Sequence, residues 1–184
     1  YAAGLGFRYL ETDVYATRDG VLISFHDDKL DRVTDAKGRV EALTWAEIKP
    51  ARIGGAEPVP LMEELFARFP DMRINIDPKH DAAVAPLIAL IKRMGVERLK
   101  AVSMGMPVSR FREGCAQVPV KANNVTVVTR RFVEAAERAG LQVHVWTIDD
   151  EGEMRRLIDL GVHGLMTDRP SLLKQVLISK GLWA

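Results

Sequence analysis

At 184 residues, 47% of them apolar and 28% charged, the chain has the make-up of one globular domain with a sizeable core. Its 26 lysines and arginines against 25 acids leave a net charge of +1, which argues against binding nucleic acid or an anionic membrane by bulk attraction. The single cysteine, Cys115, cannot close an internal disulfide, and no apolar run is long enough to cross a bilayer, so neither an oxidising compartment nor membrane insertion is called for.

A cytoplasmic setting is therefore favoured over a secreted one. The chain opens at Tyr1 rather than methionine, which leaves a preceding segment or signal peptide open. The elements follow in order. AAGLGFRYLE (2–11) reads as helix, glycine, then a strand at 8–14. Arg18-Asp19-Gly20 breaks the chain, and a return strand at 21–25 comes back beside the first, ending at His26-Asp27-Asp28. Thr44-Trp45-Ala46-Glu47 is a capping box that starts a helix at 44–50, and a second helix spans 61–69. A strand at 73–77, a helix at 82–94, and strands at 98–103 and 116–120 come next. Thr129 caps a helix at 129–139, a strand runs 141–147, Asp149 or Asp150 caps 151–160, and a strand at 164–167 precedes a last helix at 171–179.

The helix–glycine–strand unit recurs in KRMGVERLKAV, ERAGLQVHVW and IDLGVHGLMT, each glycine supplying a left-handed helix end. Helices alternating with short apolar strands predict an α/β fold with a parallel sheet. Two architectures remain, a doubly wound sheet or a (β/α)₈ barrel. No G-x-G-x-x-G follows any strand, which weighs against a dinucleotide-binding doubly wound fold. Polar residues gather at the C-terminal ends of several strands, a placement both architectures share.

Side chains alternate along strands, so Tyr9, Glu11 and Asp13 share one face, as do Asn75, Asp77 and Lys79 in RINIDPK. Converging carboxylates repel unless a cation sits among them, and oxygen-only donors suit Mg²⁺ or Ca²⁺ over Zn²⁺. Taken alone, Glu11 and Asp13 read equally well as capping or surface acids; Asp77 with Lys79 tips the balance toward a site. His26, closing LISFH, is placed to serve as a general acid or base, against the plainer role of a turn histidine. Lys79 reads as a clamp for a phosphate oxygen. Trp146, with Val143 and Val145 on the opposite face, is a candidate flat wall for a substrate or a packing indole. His144, His163 and Cys115 carry no signature and read as structural.

These residues fall into a known pattern. GFRYLETDVYATRDGVLISFHDDKLDRVTDAKGRVEALTWAEI resembles the first half of the glycerophosphodiester phosphodiesterases, with their E-x-D, T-x-D-G, H-D and L-T-x-x-E stretches in order. VPLMEELFARFP, INIDPK and LQVHVWTIDDEGEMRRLIDLGVHGLMTDRP resemble later units of the same family, so the likeness covers most of residues 4–173. It implies a (β/α)₈ TIM barrel that uses one divalent cation, Mg²⁺ or Ca²⁺, to hydrolyse glycerophosphodiesters to glycerol 3-phosphate and an alcohol, in lipid and glycerol metabolism. Carried over by position, Glu11, Asp13 and Asp77 fall on the metal ligands, His26 and Lys79 on catalytic groups, and Lys79 and Trp146 on substrate contacts. Asp77 is one methylene shorter than the family's Glu, and Pro78 replaces an aliphatic residue. The family's opening H-R-G strand with a second catalytic His, and the E-N pair after it, have no counterpart here. Alternative readings are a lysophospholipase D or sphingomyelinase-D-like phosphodiesterase, and an inactive barrel that only binds phosphodiesters. The head-group alcohol, the cation, the oligomeric state and the choice between direct water attack and a cyclic phosphate stay open.

The expected domain is a single catalytic barrel over 1–184, incompletely represented. A (β/α)₈ barrel typically takes ~250 residues, and only six strands of the βα type can be counted. The first strand is expected before Tyr1. A middle βα unit is expected to be missing near 104–118, with a chain break there as its check.

Overall fold

The alternation in RINIDP is the pattern from which the fold is built. Ile74 and Ile76 are 3% and 1% exposed, while Asn75 and Asp77 between them face the other way. The computed structural model describes residues 1–94, 100–101, 114–122 and 125–183. They fall into two compact units, residues 7–105 and residues 1–6 with 106–184.

The first unit contains β1 (Tyr9–Ala16), β2 (Leu22–Ser24), α1 (Trp45–Ile48), β3 (Arg52–Ile53), β4 (Glu57–Pro58), α2 (Met62–Arg68), β5 (Arg73–Pro78), α3 (Val84–Met94) and β6 (Lys100–Ala101). Its main sheet has the order β2-β1-β5-β6. β1 and β5 pair in parallel, Glu11 opposite Asn75 and Asp13 opposite Asp77. β5 and β6 are also parallel. β2 pairs antiparallel with residues 14–16 of β1, the return strand expected from the sequence. That pairing carries β1 on to Ala16, two residues past the predicted end, because Tyr15 and Ala16 find partners in Ile23 and Leu22.

Two cores hold this unit. Met62 and Phe66 of α2 and Leu87 and Leu90 of α3 pack with Val14, Ile74 and Ile76. Each such side chain contributes about 1.5–3 kcal/mol on full burial. Ile23 of β2, Ile48 of α1 and the loop residues Phe25, Leu30, Val40, Ala51 and Val59 make the second core. The predicted capping box is present on α1: the Thr44 side chain accepts from the Glu47 backbone, and Glu47 accepts from the Thr44 backbone at 2.7 Å. The β3–β4 pair had no sequence signal.

The second unit contains β7 (Gly114–Pro119), β8 (Lys121–Ala122), β9 (Val125–Thr126), α4 (Arg130–Arg138), β10 (Leu141–Trp146), α5 (Glu151–Leu160), β11 (Gly164–Leu165) and α6 (Pro170–Ser179). β7, β10 and β11 pair in parallel in the order β11-β10-β7. Thr129 and Asp150 cap α4 and α5 through the backbone N–H of Phe132 and Glu153. Gly161 ends α5 in the left-handed region at φ 89°, where a side chain would clash with its own backbone. β8 and β9, two residues each, pair antiparallel, which the sequence did not predict. The expected helix in 2–11 is a single 3₁₀ turn, Ala3–Leu5, closed by Gly6 at φ 97°.

Among the described residues, six strands pair in parallel, matching the six predicted. Most of the expected break near 104–118 lies outside the described residues, which resume at Gly114. No described helix is long and apolar enough to cross a membrane.

Candidate active site

β1 and β5 carry the acids. Their parallel register sets Glu11, Asp13, Asn75 and Asp77 on one face of the sheet, opposite the helix-covered face. Lys79 follows at the end of β5, where its backbone N–H donates to the Val14 carbonyl at 3.1 Å. Its ammonium stands between two acids, 2.7 Å from Asp13 Oδ1 and 2.7 Å from Asp77 Oδ2. Partial burial opposes charging this lysine, but the bonds to Asp13 and Asp77 outweigh it and raise its pKa above the ordinary value. Lys79 is thus a fixed cation inside the acidic cluster.

Glu11 opens onto a cleft, yet the protein around it weakens hydration of a charge. That desolvation, then the charges of Asp13 and Asp77, push its carboxyl from 4.5 up to about 7, with Lys79 and His26 pulling the other way. The cleft has a volume of about 310 Å³ and is lined by Glu11, Asp13 and His26 together with Phe25, Val33 and Ile53. His26 reaches it because the Phe25 N–H donates to the Asp13 carbonyl at 3.0 Å, tying the end of β2 to the middle of β1. His26 Nδ1 lies 2.7 Å from Asp27 Oδ1. Asp27 also accepts from Arg32 Nε at 2.5 Å and Arg32 Nη2 at 2.8 Å. These bonds, Arg32 first and His26 second, hold the Asp27 carboxyl well below the usual carboxylate range.

The structure therefore brings Glu11, Asp13, Asp77, Lys79 and His26 into one unit. Trp146 belongs to the other unit, at the end of β10, where it is 44% exposed, not packed in a core. His163 has an acidic neighbour that sequence spacing did not reveal: its Nε2 is 3.7 Å from Glu137 Oε1, and its Nδ1 accepts from the Val143 N–H.

Among the described residues, no three His, Cys, Asp or Glu side chains are already gathered as a metal cage. Lys79 occupies the space between Asp13 and Asp77, and it is this ammonium that keeps the two acids compatible. The donors nonetheless fit a hard cation. Asp77 Oδ1 and Asn75 Oδ1 are buried without a hydrogen-bond partner, a cost of about 1–3 kcal/mol each that an added ligand would relieve. Glu11 is poised to ionise if positive charge arrives. Asn75 was passed over in the sequence, although its place on the Asp77 face of RINIDPK was the signal.

Solved structures share this arrangement of strands. A glycerophosphodiester phosphodiesterase of Agrobacterium tumefaciens superposes with a TM-score of 0.76 at 24% identity, covering 95% of this chain and 89% of that one. An Oleispira antarctica phosphodiesterase, solved with its product sn-glycerol-3-phosphate, gives 0.77 at 20% identity over 95% of this chain and 87% of its own. The fold is thus the (β/α)₈ barrel of the phosphodiesterase type, of which six parallel strands lie among the described residues.

The glycerophosphoryl diester phosphodiesterase family model matches residues 1–104 and 108–172, and the chain belongs to that family. The probable glycerophosphodiester phosphodiesterase 2 of Mycobacterium tuberculosis is 34% identical over 221 residues, taking in 99% of this chain and 84% of the relative. An alignment of 221 residues that absorbs nearly all of a 184-residue chain must open internal gaps in it. The family is divalent-cation dependent.

Proposed function

We propose that this chain hydrolyses glycerophosphodiesters to glycerol 3-phosphate and an alcohol, at a site held by Glu11, Asp13 and Asp77. The observation that carries the reading is the set of three acids on one sheet face, coupled through Lys79, with His26 on the same cleft. The reading treats residues 1–184 as one catalytic domain, since the family model runs through both units.

Glu11, Asp13 and Asp77 would hold the cation, with the Asn75 carbonyl oxygen beside them. When bound, a hard dication such as Mg²⁺ or Ca²⁺ neutralises charge on a non-bridging phosphate oxygen. Lys79 binds an oxygen of the same phosphate as a point charge, its ammonium kept protonated by its two acids. His26 passes a proton to or from the leaving oxygen through its cleft-facing ring. In the other unit, Trp146 stands exposed at the end of its strand, and the substrate contact assigned to it rests on its position in the family pattern.

A lysophospholipase D activity is the second reading, favoured by the apolar side of the cleft, Phe25, Val33 and Ile53, which suits an acyl chain. The test is release of glycerol 3-phosphate from glycerophosphocholine and glycerophosphoethanolamine, and of lysophosphatidic acid from a lysophosphatidylcholine, with Mg²⁺, with Ca²⁺ and with chelator. Cation-dependent turnover of the glycerol diesters, abolished in Glu11→Gln while the protein stays folded, is expected. Turnover in chelator equal to that with cation would refute the site.

A further inference from the structure

Asp27 is built in a way a loop acid need not be. Its neighbours His26 and Arg32 are 68% and 67% exposed, yet its own side chain is only 18% exposed. Both of its oxygens are engaged by side chains: Oδ2 by Arg32 Nε, and Oδ1 by Arg32 Nη2 and His26 Nδ1. The fork of Arg32 fixes the plane of the carboxylate, as bidentate arginine pairs do. The backbone around it is fixed as well. Phe25 is anchored on Asp13, Leu30 is fully buried, the Val40 N–H donates to the Asp28 carbonyl, and the Gly38 N–H donates to Asp31 Oδ2. A carboxylate held this firmly can hold something else.

What it holds is the imidazole. A carboxylate can only accept, so the 2.7 Å contact requires a proton on Nδ1. Nε2 is then the nitrogen left over, and among the described residues it has no hydrogen-bond partner, on a ring that lines the cleft. We propose that Asp27, clamped by Arg32, is the positioning residue for His26: it accepts the hydrogen bond from Nδ1–H, keeps the proton on that nitrogen and presents Nε2 to the substrate oxygen. The inference rests on the phosphodiesterase reading for the role of His26, but not for its orientation. In the neutral ring Nε2 accepts a proton; after accepting, the imidazolium is stabilised by Asp27 and returns the proton from Nε2. An imidazole without this partner divides between tautomers and rotates, losing turnover without losing affinity for a phosphate bound by other groups.

The test has two arms. Long-range ¹H–¹⁵N spectra of the folded protein, taken where His26 is neutral, should show the Nδ1-protonated tautomer, and Asp27→Ala should convert it to a mixture or to the Nε2-protonated form. In turnover, Asp27→Ala should lower kcat by ~10²-fold, the scale of a lost acid/base contribution, with KM changed by less than about threefold. Asp27→Glu should recover part of the loss, and Arg32→Met should fall in between. The double variant His26→Ala/Asp27→Ala should be no slower than His26→Ala alone, since residues acting as a unit are not additive. A retained tautomer in Asp27→Ala, or a double variant slower than His26→Ala by the full Asp27→Ala factor, would overturn the proposal. If the unmodified protein hydrolyses no diester, the functional reading fails, and the spectra still decide whether Asp27 sets the tautomer.

Discussion

Lys79 is the group whose removal separates an acidic cluster made for a cation from a chance gathering of charges. Lys79→Met keeps the stem and deletes the ammonium that stands 2.7 Å from both Asp13 and Asp77. The three side chains are 25%, 15% and 26% exposed, neither free surface nor dry interior. Exposed pairs contribute about 0.2–1 kcal/mol, and breaking a fully buried pair costs about 3–5 kcal/mol. Intermediate burial places each of these two pairs at about 1–2 kcal/mol, so the variant should lose roughly 2–4 kcal/mol. For a chain of this size that lowers Tm by roughly 4–16 °C, at about 2–4 °C per kcal/mol. The cluster left behind holds Glu11, Asp13 and Asp77 with no cation among them. Millimolar Mg²⁺ or Ca²⁺ should then restore more Tm to the variant than it adds to the unmodified protein. Melts followed by circular dichroism, in chelator and in each cation, read both numbers. A variant that melts within about 1 °C of the parent in chelator, or that gains no more from cation than the parent, would show that the lysine does not balance the acids.

Glu11 gives a pH dependence with a definite sign. Its folded-state pKa of about 7 lies above the ordinary 4.5, so the folded chain binds its proton more readily than the unfolded chain. In chelator, its contribution should favour the folded state at low pH and be lost as pH rises from 4.5 through about 7, and Glu11→Gln should remove that slope. A slope unchanged in Glu11→Gln would place its origin elsewhere. Gly164→Ala should destabilise the other unit, because an added Cβ would lie 2.8 Å from Cδ2 of His144 on the paired strand. Overpacking of that kind costs about 1–3 kcal/mol, and a Tm equal to the parent's would show that the ring can move aside. Asp150→Ala removes the acceptor for the Glu153 N–H at the start of α5 and should cost about 1 kcal/mol, measurable as a lower urea midpoint.

Most of the element order was legible because it depends on local patterns. Period-two burial in RINIDP and LQVHVW gave β5 and β10, and the caps at Thr44, Thr129 and Asp150 marked helix starts within a residue. The antiparallel pairs β3–β4 and β8–β9 were not legible, since each strand is two residues long and is defined by its partner. The same holds in the site. That Glu11, Asp13 and Asp77 share a face follows from alternation within each strand, but the register that sets Asp13 against Asp77 belongs to the pairing. The place of Lys79 between two acids, and the Arg32 fork on Asp27, depend on side-chain paths that spacing does not encode. Trp146 was open to both packing and substrate roles in the sequence, and its exposure removes the first.

The bond from Phe25 to Asp13 has a consequence for the order in which the chain assembles. Glu11, Asp13 and His26 all lie on one hairpin, within 16 positions of each other, and the loop that follows carries its own core. Loop closure over so short a span is entropically cheap, so this half of the site can form among the early, local contacts of folding. Asp77 and Lys79 reach it only when β5 docks, across about 50 residues of chain after His26. Substitutions in the β1–β2 turn should therefore slow folding. Truncations on the buried face of β5, such as Ile76→Val, should mainly speed unfolding and leave an open state in which the histidine end is intact and the lysine end has come away.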